Sequence, residues 1–385
     1  MRLFHLSDLH IGKQLHGYNL KDDQIVVLKQ IVLEATKLRP DVIIIAGDIY
    51  DKSVPSAEAV NLFDEFLTEL SIIEPSIPIL IIAGNHDSPE RLEFASQILG
   101  KNDIYIAGMP PRNREDYIKK ITLTDEFGEI DFYLLPFMKP GYVRNIFEEP
   151  IDNYDEALRR IIERENIDYT RRNVLVSHQF YTAGNNETVR SDSELISVGG
   201  IDNVDISAVE KFDYVALGHI HGPQQVGHEH IRYCGTPLKY SVSEKNHNKA
   251  ILCVSIGEKN TPIALEKIEF EPIRDVREIK GKLQEVIAAA TKDNKDDFIS
   301  VILIDEDDSL YKPKDQLMDV YSHILEVKVD NQRTRNMLED ADEVEKITDP
   351  FLAFEKFFFA MQSRDMTEDE KNIIIEIINN AKESE

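Results

Sequence analysis

The chain of 385 residues carries 71 acidic against 44 basic side chains, a formal charge of −27. That balance excludes a protein that grips nucleic acid through a general basic surface, for which a high isoelectric point is expected. The length exceeds what one compact core absorbs, so two domains with an appendage are expected. No apolar run approaches a membrane span, and a first strand starting almost at Met1 is expected to leave no room for a cleaved leader.

In chain order, Arg2 to Ser7 is a short apolar run that stops at Asp8. From Asp22 to Arg39, Ile25, Leu28, Ile31, Val32, Ala35 and Leu38 recur at the spacing of one helix face. Val42 to Ala46 is a β-branched run of the kind a strand shows when both its faces are buried, and it stops at Gly47-Asp48. After Pro55-Ser56, the positions Val60, Phe63, Leu67 and Leu70 predict a second helix. Ile79 to Ala83 then ends at Gly84-Asn85. Further helices are expected over Ser88 to Leu99 and Tyr154 to Ile167, and Ser207 to Glu210 reads as a capping box. Val174 to Val176 ends at Ser177-His178, and Tyr214 to Leu217 ends at Gly218-His219. Additional strands over 121–124, 130–135, 231–234 and 250–256 make the sheet mixed or doubled. The alternation predicts an α/β fold of layered type, central β-sheets flanked by helices. Cys234 and Cys253 sit in strand-like runs and read as buried thiols, which suits a reducing, cytoplasmic compartment.

Five strand ends therefore carry Asp8-Leu9-His10, Gly47-Asp48-Ile49-Tyr50-Asp51, Gly84-Asn85-His86-Asp87, Ser177-His178 and Gly218-His219-Ile220-His221. In layered α/β folds ligands gather beyond the carboxyl ends of strands. Together these pieces form the donor set of a two-metal phosphoesterase. Two divalent ions about 3.5–4 Å apart need a bridging ligand, a role that suits a carboxylate and is assigned to Asp48. One ion then takes Asp8, His10 and His221, and the other Asn85, His178 and His219. Mixed carboxylate, imidazole and amide donors suit manganese, iron or zinc better than magnesium. The ions would acidify a water that attacks phosphorus in line with the leaving oxygen.

His86 follows Asn85 and is expected to point into the same space, donating a proton to the leaving oxygen or binding the phosphate. Asp51 or Asp87 would hold its ring in the right tautomer. Lys13, His16, Lys52, Arg91 and Arg190 are candidate phosphate contacts. His228 and His230 read as a hairpin tip and Gly235-Thr236-Pro237 as a turn, while His5, His247 and His323 carry no second signal. The charge of −27 omits up to four positive charges that bound ions would place where the scissile phosphate sits.

The motif series resembles the calcineurin-like metallophosphoesterase superfamily. Within it, residues 1–18, 81–95 and 213–224 resemble the SbcD family of bacterial nuclease subunits, a likeness expected to extend over about residues 1–256. The resemblance implies manganese-dependent cleavage of DNA, as an exonuclease on duplex ends and an endonuclease on hairpins and single strands, in DNA repair and recombination. It also implies a homodimer working with an SMC-type ATPase, SbcC, in the cytoplasm at the nucleoid. The family's metal ligands fall on Asp8, His10, Asp48, Asn85, His178, His219 and His221, and its phosphate-handling histidine on His86. Where some relatives carry a second histidine this chain has Asp51, which makes Asp51 an orienting residue for His86. The competing readings are a small-molecule or cyclic-nucleotide metallophosphodiesterase, and a scaffold without chemistry, which would lack ligands.

Beyond about residue 260 the character changes. Strands over 263–270, 298–304 and 325–329, with helices over 276–290 and 315–324, predict a small α/β unit. The resemblance makes this, over 261–330, a capping domain beside a nuclease domain of residues 1–260. Residues 331–349 read as an acidic linker. Over 350–385 an aromatic run from Phe351 and a helix opening at Thr367-Glu368-Asp369-Glu370 are expected to need a cover. The resemblance points to the SbcC ATPase.

Overall fold

The computed structural model describes residues 1–184, 188–194, 202–306 and 312–332, and beyond these 351, 354, 355, 358, 364–368, 370, 371 and 373–375. The strands of its two large sheets, in order, are β1 (Arg2–Leu6), β2 (Val42–Ala46), β3 (Ile79–Ile82), β4 (Ile104–Ala107), β5 (Lys119–Asp125) and β6 (Gly128–Leu135). These are followed by β7 (Arg172–Ser177), β8 (Tyr214–Leu217), β9 (Gln224–Val226), β10 (His228–Tyr233), β11 (Ala250–Ser255) and β12 (Ala264–Glu269). They form two six-stranded mixed sheets, ordered β12-β11-β1-β2-β3-β4 and β9-β10-β8-β7-β6-β5. The sheets stack face to face, with helices on both outer sides.

The alternation of each strand builds the layers. In β2, Val42, Ile44 and Ala46 point between the sheets, where they meet Phe132, Val174, Val176 and Ala216. Ile43 and Ile45 point the other way, onto α1 (Lys21–Leu38) and α2 (Ala57–Ser71), among Ile31, Phe63 and Phe66. On the far side Leu175, Val215 and Leu217 pack under α3 (Tyr154–Arg164), against Leu158 and Ile161. A strand buried on both faces is thus a strand between two layers. The helix starts are encoded locally: Ser56 accepts from Ala59 N–H at 3.1 Å and Asn153 from Glu156 N–H at 2.8 Å.

Several expectations need correction. Residues 88–99 form two one-turn helices, Pro89–Leu92 and Ser96–Leu99, separated by Ala95 at φ +60°. The expected capping box at Ser207 is a 3-10 turn over Ile206–Ala208, capped by the Asp205 carboxylate. β12 is no part of the small unit: it pairs antiparallel with β11, from Ala250↔Glu269 to Ser255↔Ala264, so a boundary at 260 would cut the first sheet. Half of the helix expected over 276–290 is strand β13 (Val276–Gly281), which pairs parallel with β14 (Phe298–Leu303). Ladder pairing there overrides a helix-like apolar spacing.

The small unit is completed by α4 (Leu283–Ala288), α5 (Pro313–Met318) and β15 (His323–Val329), in a three-stranded parallel sheet ordered β13-β14-β15. The helix expected over 315–324 is the shorter α5. The unit has its own core around Val286, Val301, Leu317 and Tyr321, yet Val276, Phe298 and Leu325 join the helix layer of the first sheet. Ion pairs from Lys239 to Asp275 (2.7 Å) and Lys245 to Glu278 (2.5 Å) fasten the seam. Nearly all of the expected linker and most of the terminal helical segment lie outside the described residues.

The edge opposite the strand ends that carry the motifs is closed by a buried ion pair. Arg172 donates to Asp125 at 2.9 and 2.5 Å and to the carbonyls of Gly128 (2.7 Å) and Gly257 (3.0 Å), tying both sheets together. The guanidinium bond holds the Asp125 carboxyl well below the ordinary carboxylate range. Asp125→Ala should cost about 3–5 kcal/mol in urea unfolding, because it strands a buried cation. The pair's contribution is present above the unfolded carboxylate pKa and is lost as the pH falls through the depressed folded value. Asp125→Asn should therefore flatten the acid limb of the stability curve.

Candidate metal centre

Backbone pairing continues past the ends of β1 and β2. The N–H of Asp8 donates to Gly47 O at 2.9 Å, that of His10 to Asp48 O at 3.0 Å, and that of Ile11 to Ile49 O at 2.9 Å. The two loops leave the sheet side by side and carry Asp8, His10 and Asp48 to one edge. The turns put these residues at φ +52°, +43° and +51°, and His219 at +99°. Such backbone costs about 1–3 kcal/mol per residue and persists where the surroundings over-determine it. The second sheet arrives very close by. A Cβ on Gly47 (φ +90°) would lie 2.3 Å from His178 Nδ1 of that sheet, and within the first sheet's own loops one on Gly84 would lie 2.1 Å from Asp48 Oδ1. Only glycine fits at either position.

All seven expected donors meet at this edge. Asp48 Oδ2 lies 3.6 Å from His10 Nε2 and 3.4 Å from His178 Nε2. On one side His10 Nε2 faces His221 Nε2 at 3.2 Å. On the other, Asn85 Oδ1 lies 3.1 Å from His178 Nε2 and 2.9 Å from His219 Nδ1. The Asp8 carboxylate accepts from His219 N–H at 3.0 Å, linking the two sheets directly. The ligand atoms of Asp8, His10 and His221 lie within 4.8 Å of one another, as do those of Asp8, Asp48 and His178, and those of His10, Asp51 and His86.

His86 also comes to this edge, 4.8 Å from the His10 ring. Its Nδ1–H donates to the backbone carbonyl of Asp51 at 2.9 Å, so that carbonyl, and neither the Asp51 nor the Asp87 carboxylate, orients the ring. The Asp51 carboxylate pairs with Lys13 at 2.8 Å and lies 3.8 Å from His10 Nδ1. Asp87 is a loop clamp, accepting from the N–H groups of Gly84 (2.9 Å), Ile49 (3.1 Å) and Tyr50 (3.0 Å). Of the other basic candidates, Arg190 stacks on Phe180 at 3.5 Å, whereas His16, Lys52 and Arg91 are exposed. His228 and His230 lie on a hairpin arm, with rings stacked at 5.5 Å.

Sequence reasoning missed a layer of supporting residues. Gln24 donates to His10 O at 2.8 Å, and Tyr240 OH to Leu9 O at 2.5 Å. Glu194 accepts from His221 N–H at 2.8 Å, and Glu244 and Lys249 form a buried ion pair at 2.5 Å beneath it. Gln24 falls on the buried face of α1, where a polar residue among apolar ones was a readable signal. Glu194, Glu244 and Lys249 belong to no motif.

The electrostatics ask for cations. Burial pushes the Asp8 carboxyl up to about 6, and burial with the nearby Asp48 charge raises Asp87 to about 6. Burial opposes ionisation of Asp48 too, but His178, His10 and His86 outweigh it and hold this carboxyl well below its ordinary value. Burial lowers His219 to about 3 and drives His10 far down, whereas Asp48 and Asp8 overcome burial to lift His178 to about 9. Among the described residues His10 Nδ1 is buried without a hydrogen-bond partner, and its Nε2 faces a second imidazole nitrogen. Converging lone pairs of this kind are the donor set that divalent transition ions take.

Two stacked mixed sheets with carboxylate, amide and imidazole donors at one shared edge define a metal-dependent phosphoesterase. The chain belongs to the calcineurin-like phosphoesterase family, whose model matches residues 1–223. A second model, described as the type 5 capsule protein repressor C-terminal domain, matches residues 272–362. The SbcD subunit of nuclease SbcCD from Staphylococcus epidermidis is 34% identical over 330 residues, covering 84% of each chain. Its namesake from Staphylococcus saprophyticus is 35% identical over 292 residues, covering 74% of this chain and 73% of that one. A solved dimetal phosphatase from Danio rerio covers 70% of this chain and 98% of its own at 13% identity, with a TM-score of 0.38.

Asp87→Ala should loosen the whole edge, since three buried N–H groups lose their acceptor. We expect at least about 2 kcal/mol of lost stability by urea unfolding, with faster amide exchange at Ile49, Tyr50 and Gly84.

Proposed function

We propose that the chain is the DNA nuclease subunit of an SbcCD-type complex, hydrolysing phosphodiesters with two divalent ions held at this edge. The observation that carries the reading is Asp48, within 3.6 Å of a histidine nitrogen on either side and flanked by two groups of donors. Asp48 would serve both ions; Asp8, His10 and His221 would hold one, and Asn85, His178 and His219 would hold the other. Manganese suits this mixture of donors. When bound, the ions supply Lewis acidity at the phosphate oxygens and lower the pKa of water. With Nδ1–H engaged by Asp51 O, Nε2 of His86 would act from the doubly protonated ring, giving its proton to the leaving oxygen or donating a hydrogen bond to the phosphate.

The likeness to two named SbcCD nuclease subunits over most of the chain supports the nuclease reading; exonuclease action on duplex ends and endonuclease action on hairpins, in repair and recombination, are the finer part of the proposal. A groove of about 580 Å³ runs between the rim of the site and the small unit, lined by Lys13, His16, Lys245 and Lys328 together with Asp192, Glu278 and Glu326, with Lys245 paired to Glu278 and Lys328 to Glu326. The small unit thus acts as a cap beside the substrate path. The acidic remainder of the chain leaves much of the DNA affinity to a partner, an SMC-type ATPase. No described helix is long and apolar enough to cross a membrane.

Manganese-dependent degradation of end-labelled duplex and hairpin DNA tests the reading. Asp48→Ala should lower the rate by roughly 10²–10⁴-fold through loss of the paired ions. His86→Ala should lower it by about 10²–10⁴-fold while manganese binding stays intact. If neither DNA is cut, even with the ATPase present, the reading fails and a small-ester diesterase replaces it.

The terminal segment is the proposed contact with the ATPase. Thr367 N–H donates to Glu370 at 2.8 Å and Glu370 N–H to Thr367 Oγ1 at 3.4 Å, opening a helix on which Ile373 and Ile375 are exposed. Ile373→Glu with Ile375→Glu in the full chain should abolish co-purification with the ATPase. The same variant should still cut a small phosphodiester and still sediment as the homodimer we propose.

A further inference from the structure

Resting on the reading of the centre above, we propose that Ser193 and Glu244 are positioning residues that set the tautomer of His221 and aim its Nε2 at the metal site. His221 Nδ1 lies 2.6 Å from Ser193 Oγ, and Ser193 Oγ lies 2.6 Å from Glu244 Oε1. A hydroxyl has one proton, and a carboxylate takes it. Ser193 therefore donates to Glu244 and must accept from His221. The imidazole proton is fixed on Nδ1, and the lone pair of Nε2 is left facing His10 Nε2 at 3.2 Å. A ring with the opposite tautomer would aim a proton at the ligand cluster and set the Nδ1 lone pair against that of Ser193 Oγ at 2.6 Å, leaving Ser191 Oγ, at 3.1 Å, as the other hydroxyl beside Ser193.

The relay is anchored at its far end. Glu244 is fully buried, and Lys249 donates to it at 2.5 Å as well as to Thr236 Oγ1 (2.6 Å) and His221 O (2.9 Å). Ser241 Oγ adds a further bond to Glu244 at 3.1 Å. The segment carrying Ser193 is pinned on both sides, by Glu194 accepting from His221 N–H at 2.8 Å and by Asp192 N–H donating to Ser243 Oγ at 2.9 Å. Thus His221 is held at its ring nitrogen, its N–H and its carbonyl by residues of two loops. His178 needs no such relay, since its Nδ1–H donates to the main-chain carbonyl of Ala46 at 2.7 Å.

The test is manganese(II) binding to the full-length protein, by calorimetry and by metal analysis after gel filtration. The variants are Ser193→Ala, Ser193→Thr and Glu244→Gln. Wild type should bind two ions. Ser193→Ala should keep one site and weaken the other by about 10–100-fold, the usual effect of losing an orienting partner behind a ligand. Ser193→Thr, which keeps the hydroxyl, should restore it. Nitrogen-15 spectra of the metal-free protein should show His221 with its proton on Nδ1 in wild type and a mixture of tautomers in Ser193→Ala. That readout does not move if Ser193 merely supports the fold. Glu244→Gln unpairs buried Lys249, so its thermal stability is followed alongside. Ser193→Ala is the deciding variant if that protein fails to fold. Unchanged manganese affinity and an unchanged tautomer in Ser193→Ala would overturn the proposal. Failure of wild type to bind a pair of ions would overturn the centre itself, and the relay with it.

Discussion

The close approach of the two sheets at one edge is the constraint on which the rest of the molecule depends. His178 at the end of β7 must sit against Asp48 beyond β2, and the approach leaves no room for a Cβ on Gly47, which would meet His178, or on Gly218, which would meet Ala46 O. Given that approach, the loops after β1 and β2 have to turn sharply, and positive φ at Asp8, His10 and Asp48 follows. A turn held in that conformation needs its free N–H groups satisfied, and the Asp87 carboxylate does this for Ile49, Tyr50 and Gly84 at once. Strain, clamp and glycine positions are therefore one arrangement seen from three sides. Its result is that donors from both sheets face one another across a few ångströms.

Burial of that many ionisable groups also explains how a chain of charge −27 handles a polyanion. The acidic excess is spread over the whole sequence, whereas the site concentrates imidazoles beside Asp48. Burial lifts the Asp8 and Asp87 carboxyls to about 6 and, by the same loss of water, lowers the His10 and His219 imidazoles, so neither sign of charge is comfortable here without a partner. Divalent ions relieve this and at the same time present positive charge to a phosphate. Local charge at the bond to be broken and net charge of the chain are separate quantities, and only the first bears on chemistry.

The layered fold was legible because its signals are local. A β-branched run such as Val42 to Ala46 has one good solution, a strand between two layers, and Ser56 and Asn153 announce their helices. That these seven side chains meet at one edge was legible for a related reason: each closes a strand that could be recognised, and the order of strands brings their ends together. What could not be read depended on tertiary partners. Val276 to Gly281 has helix-like spacing but gains a ladder with Phe298 to Leu303. Nothing in the sequence around 264–269 says whether that strand ends one unit or begins the next. Asp51 was expected to act through its carboxylate and acts on His86 through its carbonyl, a distinction invisible to residue type. Glu244 and Lys249 stand five residues apart with no motif around them, and only the fold puts them under His221.

The two halves of the centre are consequently built by different means. Around His178 and Asn85 the sheet itself does the positioning, with a main-chain carbonyl behind the imidazole. Around His221 the work falls to side chains from segments 191–194 and 241–249, among them Ser193. Ser193, Tyr240 and Ser241 also line the groove that leads from the site to the small unit. A main-chain support moves only if the sheet moves, whereas a hydroxyl on a loop moves with whatever presses on the loop. Any ligand in the groove that displaces Ser193 would break the bond to Nδ1 and free the His221 ring to turn. Ser193 belongs both to the groove wall and to the support behind His221, so on the proposed reading groove occupancy and the setting of that ring are mechanically linked.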